Sequence, residues 1–196
     1  MHPNDYLCRM YNVLRIINGY YPLSADTEKL LRESVTRIVV PPRTLLIRSD
    51  CRNGYAYFIE RGITRSFWLI DGEEITTSFA YEGYVVFSMD ELYYDQESEE
   101  FVETIEECEV YRIAIPLLRH LFETNLEICN WCRIIHQNEY RRLHRIHKEI
   151  LTLPASDRYE AFRNHFPDVC KRVNLGFIAS YLGMTQPTLS RIRGKK

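Results

Sequence analysis

Hydrophobic positions along this chain of 196 residues change their period twice, and the changes divide it. Up to about residue 35 the spacing is helical. Leu7, Met10, Tyr11, Leu14 and Ile17 fall on one face, with Asn4 or Asp5 as a cap and Gly19 as a stop. A second helix is expected from Ser24 or Asp26 to near Val35. From about Thr36 to Ile115 the period is two. The stretches 37–40, 44–48, 56–60, 63–70, 75–80, 84–88, 101–105 and 110–115 are rich in β-branched and aromatic residues. Between most of them stand turn residues: Pro41-Pro42, Arg52-Asn53-Gly54, Arg61-Gly62, Asp71-Gly72 and Glu82-Gly83. Asp71-Gly72 is the strongest hairpin signal, because a type I′ turn needs positive φ at both central residues. Short strands at even turn spacing predict a sandwich, a barrel or a jelly roll.

Past Pro116 the pattern is helical again as far as Leu153, followed by Pro154. Unbroken, such a helix would be a rod of roughly 50 Å. Leu118, Leu121, Ile128, Cys132, Ile135, Leu143, Ile146 and Ile150 form its seam, with Asn125 and Glu139 as polar members. One isolated helix cannot bury its own stripe. A homodimer seam is the simplest expectation, although packing on the β unit would draw on the same residues. The rest reads as a helix over 156–165, a short helical turn over 167–173, and two helices flanking Gly183. The expected fold is α+β, in three parts. Residues 1–116 form a β unit with N-terminal helices, 117–153 a long connecting helix, and 154–196 a helical unit.

Composition narrows the class. With 45% hydrophobic and 13% aromatic residues, and only 8 Gly and 8 Pro, the chain is neither disordered nor collagen-like. No apolar run approaches the ~20 residues of a membrane helix, and the N-terminus lacks the pattern of a signal peptide. Six cysteines are too sparse for a disulfide scaffold, so a cytoplasmic protein with reduced thiols is expected. The net charge of −2 conceals an asymmetry. Residues 1–116 hold 11 Lys/Arg and 20 Asp/Glu, whereas 117–196 hold 14 Lys/Arg and 7 Asp/Glu. An acidic unit is joined to a basic one, which suits an anionic partner.

The last twenty residues carry the chemistry. In 175–193 the apolar positions Ile178, Leu182, Leu189 and Ile192 face one another across two helices that meet at a sharp angle. Ala179 is small where the helices pass closest, and Gly183 sits at the turn. Thr185 is a good N-cap, and Pro187 is tolerated only in a first helical turn. This is a helix-turn-helix pattern, whose second helix enters the major groove of DNA. Thr185, Gln186, Thr188 and Ser190 stand toward its start, with Arg191 one turn on. Arg191 can pair with a guanine and Gln186 with an adenine, while Arg193, Lys195 and Lys196 suit phosphates.

With those residues in view, the chain resembles the Crp/Fnr family of bacterial transcription regulators. The segment IASYLGMTQPTLSRIR is similar to the recognition segment of its Bacteroidetes branch. YFIERGITRSFWLIDGEEITTSF and SDRYEAF extend the likeness over most of the chain. The resemblance implies a cyclic-nucleotide-binding-like jelly roll, a winged-helix-like DNA-binding unit, a dimer along the long helix and a palindromic operator. The implied partners are double-stranded DNA and a second copy through 117–153, with RNA polymerase and an unidentified small-molecule effector as further candidates. No enzyme activity, cofactor or membrane partner is expected.

The sequence departs from that family at two places. Cyclic-AMP-binding members carry a Gly-Glu-Leu-type turn for the ribose and an Arg-Ser/Thr-Ala segment for the phosphate. Here the Arg position falls near Ser98, and residues 89–109 contain 10 Asp/Glu and no Lys or Arg. Glu91-Leu92 matches only half of the ribose turn. A response to cyclic AMP is therefore not expected. In the recognition helix, Gln186-Pro187 replaces the Arg-Glu of better-known members, so a different operator is expected. A metal-dependent enzyme on a jelly roll needs clustered histidines, and there is none between His2 and His120. Cys129, Cys132 and His136 share roughly one helical face and are the candidate metal ligands. The alternative reading is a ligand-binding or metal- or redox-sensing module whose C-terminal unit contacts a protein.

Overall fold

A computed structural model of the chain describes residues 10–194. Asn4, Asp5, Leu7, Cys8, Lys195 and Lys196 lie outside the described residues. The chain opens with α1 (Tyr11–Tyr20) and α2 (Ala25–Ser34). Ser24 caps α2 by accepting a hydrogen bond from the Thr27 amide at 3.3 Å. Eight strands follow: β1 (Thr36–Val40), β2 (Leu45–Ile47), β3 (Tyr55–Arg61), β4 (Thr64–Ile70), β5 (Glu73–Ala80), β6 (Val85–Val86), β7 (Phe101–Thr104) and β8 (Cys108–Ala114). They form two antiparallel four-stranded sheets, ordered β1-β8-β3-β6 and β2-β7-β4-β5. The period-two pattern leaves a sandwich, a barrel or a jelly roll open, and this strand order is the jelly roll that the family resemblance implies. Asp71 and Gly72 have φ of +52° and +83° and join β4 to β5 as a two-residue hairpin, with Ile70 opposite Glu73. The stretch expected as a strand over 84–88 shortens to β6. Beyond it the chain makes a single π turn, Asp90–Tyr94, that no periodicity signalled.

The helical stretch over 117–153 is two helices, α3 (Ile115–Thr124) and α4 (Leu126–Thr152). Asn125 separates them in an extended conformation, φ −125° and ψ 107°. Its side chain accepts from the Ile128 amide at 2.9 Å and so caps α4, while its own amide donates to the Leu121 carbonyl. A residue expected as a polar seam member is instead the N-cap of a new helix.

The seam itself divides three ways. Leu118, Leu121 and Ile128 are buried inside their own chain, against Val13, Leu14 and Ile17 of α1 and the outer face of the first sheet. Trp131 joins them by stacking on Phe58 with ring centroids 6.0 Å apart. Cys132 and Ile135 rest on the same cluster, and Ile146 rests on the C-terminal unit. Leu143 and Ile150 remain exposed. Between the sheets a separate core of Ile47, Tyr57, Ile59, Val86, Val102, Cys108 and Val110 fills the roll.

The last unit consists of α5 (Ala155–His165), α6 (Val169–Arg172), α7 (Leu175–Tyr181) and α8 (Gln186–Gly194). No strand follows β8 among the described residues, so the likeness to a winged helix lies in α5–α8. Their core of Tyr159, Phe162, Phe166, Ile178, Leu182 and Leu189 continues onto the second sheet through Ile63 and Phe79. The C-terminal unit is thus packed directly on the roll.

Candidate nucleic-acid interface

The geometry of the turn follows from its residues. Asn174 caps α7 by accepting from the Phe177 amide at 2.9 Å. Gly183 follows α7 with φ +63°, a conformation that glycine adopts without strain. Thr185 opens α8: its hydroxyl accepts from the Thr188 amide at 3.4 Å, and its carbonyl accepts from the Leu189 amide. Pro187 lies in the first turn, where an amide has no partner in the helix anyway. Leu189 is wholly buried against Ile178, Ala179 and Leu182, and this fixes which face of α8 looks outward.

That outward face holds Thr185, Gln186, Ser190, Arg191 and Arg193, all exposed, with Thr188 half-buried behind them. The candidates of this helix therefore share one open surface. Among the described residues no ion pair or hydrogen bond engages the guanidinium of Arg191 or Arg193. Elsewhere in the unit the pattern is different. Arg163 pairs with Glu160, Lys171 with Asp168, and Arg172 with Glu82 and Glu106. Gln186 also rests beside Gly176 of α7, where a Cβ would come within 3.1 Å of its Oε1.

Several groups that position this unit carried no signal in the sequence. Arg65 of β4 is 1% exposed. Its guanidinium is held by Glu74 at 2.5 Å and Glu103 at 2.6 Å, and lies 3.6 Å from the ring centroid of Phe177 in α7. The Ser180 hydroxyl donates to the Glu74 carbonyl at 3.2 Å and accepts from the Thr76 amide at 2.9 Å. Arg172 makes two hydrogen bonds to the Glu82 carboxylate, at 2.9 and 3.0 Å. Burial works against the charge of Glu82, but Arg172 and the Gly62 amide outweigh it and hold its pKa below the ordinary 4.5. These contacts place α7 and α8 relative to the roll without passing through the long helix.

In the roll, the surroundings of Ser98 are occupied by the chain's own bonds. Ser98 is buried, and its hydroxyl both donates to the Glu100 carbonyl and accepts from the Glu100 amide. Burial raises the pKa of Glu100 and nearby Asp90 adds to that, against a hydrogen bond from Thr77. The Glu91 carboxylate is buried and accepts from the amides of Asn53 and Gly54 at 2.8 and 2.7 Å. Arg119 donates to the carbonyls of Glu91 and Leu92, and Arg52 pairs with Asp95.

The metal candidates are only partly brought together. Cys132 Sγ lies 3.4 Å from both the Tyr93 hydroxyl and His136 Nδ1, but that nitrogen is also 2.8 Å from the Cys132 carbonyl. Cys129 is exposed. Among the described residues no group of three His, Cys, Asp or Glu side chains is arranged to hold a metal ion.

Comparison with solved structures places this architecture. The c-di-GMP-responsive regulator CLP of Xanthomonas campestris superposes with a TM-score of 0.70 at 21% identity, over 88% of this chain and 91% of its own. The chain has the fold of the Crp/Fnr regulators. FixK2 of Bradyrhizobium japonicum matches at 0.68 and 20% identity, covering 82% of this chain and 83% of that one. A Crp/Fnr-family regulator of Eubacterium rectale matches at 0.70 and 14% identity, over 90% and 87%. No protein-family model and no curated protein matches the chain. Among the described residues no helix is long and apolar enough to cross a membrane.

Proposed function

We propose that the chain is a cytoplasmic DNA-binding transcription regulator, not an enzyme, that acts as a homodimer on a palindromic operator. The observation that carries this reading is the open face of α8. It presents Gln186, Ser190 and Arg191 on a helix whose arginines make no ion pair among the described residues, while Arg163, Lys171 and Arg172 of the same unit face acids. Two copies of α8 read half-sites about 34 Å apart, one turn of DNA. Arg191 reads a guanine, Gln186, Thr188 and Ser190 contact neighbouring edges, and Thr185, Arg193, Lys195 and Lys196 hold phosphates. RNA polymerase is a further partner of the bound dimer.

The same reading gives the roll no response to cyclic AMP, because a phosphodiester near Ser98 meets Glu99 and Glu100 in a stretch, residues 89–109, that holds 10 Asp/Glu and no Lys or Arg. Saturating cyclic AMP leaves the melting temperature unchanged, and a saturable rise would contradict this. An effector of other chemistry acts by shifting the C-terminal unit on the roll. The name of the Xanthomonas protein puts cyclic dinucleotides in the first ligand screen.

The test of base reading is a titration of labelled duplexes. Binding weakens steeply with salt, as counterion release requires. Arg191→Ala loses about 1–3 kcal/mol on the preferred duplex and relaxes choice at one base. An equal loss on random duplex would remove its base-reading role.

A further inference from the structure

The end of α4 and the C-terminal unit do not close on one another completely. Between them lies a narrow cleft of about 320 Å³ that opens to solvent. Ile146 and Ile150 of α4 form one wall, and Phe162, Phe166, Tyr181 and Leu182 of the unit form the other. Those four are buried, whereas Ile150 is exposed. Ligand sites span about 300–1,000 Å³, so this one suits a single ring or a short chain.

The polar groups of the cleft are unevenly matched. Arg158 of α5 lines it, and its Nη1 donates to the Ile150 carbonyl at 3.2 Å. Its Nε is buried without a hydrogen-bond partner, and its guanidinium makes no ion pair among the described residues. A buried donor left unmade costs free energy, and a carboxylate is the acceptor that matches a guanidinium best. His165 also lines the cleft, and its Nδ1 donates to the Ala161 carbonyl at 2.7 Å, which leaves Nε2 as the open nitrogen. Glu149 is the acid of the lining, and Arg145 stands 4.0 Å from its carboxylate. With Glu149 matched, Arg158 sets the sign of the site.

We propose that this cleft binds a small carboxylate with an apolar body, the carboxylate on Arg158 and the body between Ile146, Ile150 and the rings of Phe162 and Phe166. This rests on the regulator reading above and gives it an effector site outside the roll. The cleft is narrow, so an occupant parts α4 from α5 and α7. Its walls also touch the roll, since the ring centroids of Tyr181 and Phe79 lie 5.5 Å apart and those of Phe166 and Tyr81 6.4 Å apart. Phe166 is in addition 5.9 Å from the guanidinium of Arg142, which Glu139 holds at 2.7 Å. A shift of these rings therefore passes to α7 and, through the turn at Gly183, to α8.

Two probes of similar shape and opposite charge test the site on the full chain, 3-phenylpropanoate and 2-phenylethylammonium. Binding is read from the methyl resonances of Ile146, Ile150 and Leu182. The expected result is a saturable shift with 3-phenylpropanoate, about tenfold weaker or more in Arg158→Gln, and none with the amine. Arg163→Gln, whose guanidinium pairs with Glu160 outside the cleft, binds as the wild type does. Ile150→Trp fills the cleft, leaves Arg158 in place and also loses binding, so the result does not hang on the folding of one variant. Equal shifts with both probes, an undiminished affinity in Arg158→Gln, or no saturable shift overturns the proposal. Saturating 3-phenylpropanoate then changes the affinity of the wild type for its preferred duplex about fivefold or more, and leaves that of Arg158→Gln unchanged. Binding without any change in duplex affinity overturns the effector role. A chain that binds the probe but no duplex in either state overturns the regulator reading and leaves the site standing.

Discussion

The two outer faces of the roll both carry helices, yet they are made of different materials. The first sheet presents Ala56, Phe58, Tyr111 and Ile113 to α1, α3 and α4 in a largely apolar cluster, with Glu60 of β3 accepting from the amides of Asn12 and Val13 at its edge. The second sheet presents Phe79 to the C-terminal unit, but surrounds that contact with Arg65, Ser180 and the Arg172 ion pairs. The first face is an extension of the core. The second resembles an interface between domains, where charged groups can exchange partners and salt or pH shifts the balance.

The largest effect that tests this contrast is expected at the first face. Phe58→Ala removes a wholly buried ring stacked on Trp131. It should cost about 3–5 kcal/mol in urea unfolding, and protection should fall throughout the roll and α1–α4. A loss confined to the C-terminal helices would invert the comparison. Arg172→Ala should cost less, about 1–2 kcal/mol, because its partners are partly exposed and the pairs are screened. Hydrogen exchange should then rise in α5–α8 while α1–α4 stay protected.

The smallest effect is the pH dependence of that same pair. The Glu82 pKa is lower in the folded chain than its ordinary 4.5. Its contribution is therefore complete above the ordinary value, declines below it, and is lost as pH falls through the lowered folded value. Acidification into that range should loosen the C-terminal unit in the wild type. In Arg172→Ala this component should vanish, and its persistence would assign the transition to other carboxylates.

Much of the fold was legible because its signals are local. Asp71-Gly72 specifies its hairpin through two positive φ angles, and Ser24 specifies a cap by offering an oxygen to a nearby amide. Gly183, Thr185 and Pro187 mark the turn before α8 in the same way, and Leu189 sets its buried face. The features that escaped depend on groups far apart in sequence. Asn125 reads as one polar position in a continuous helix, but its side chain also donates to Thr27 Oγ1 at 3.2 Å, which favours the break. Arg65 lies among small polar residues in a strand and reads as solvated. Only its distant partners, Glu103 and Phe177, bury it. The seam of the long helix mixed two sets of residues, one facing the roll and one facing outward, since period alone does not say what a helix packs against.

Whether α8 reads a symmetric DNA sequence is decided by selecting bound duplexes from a random library with the purified chain. The expected outcome is an enriched palindrome with half-site centres about 10 base pairs apart. Retention of DNA without enrichment of any sequence, with or without candidate effectors, would contradict it.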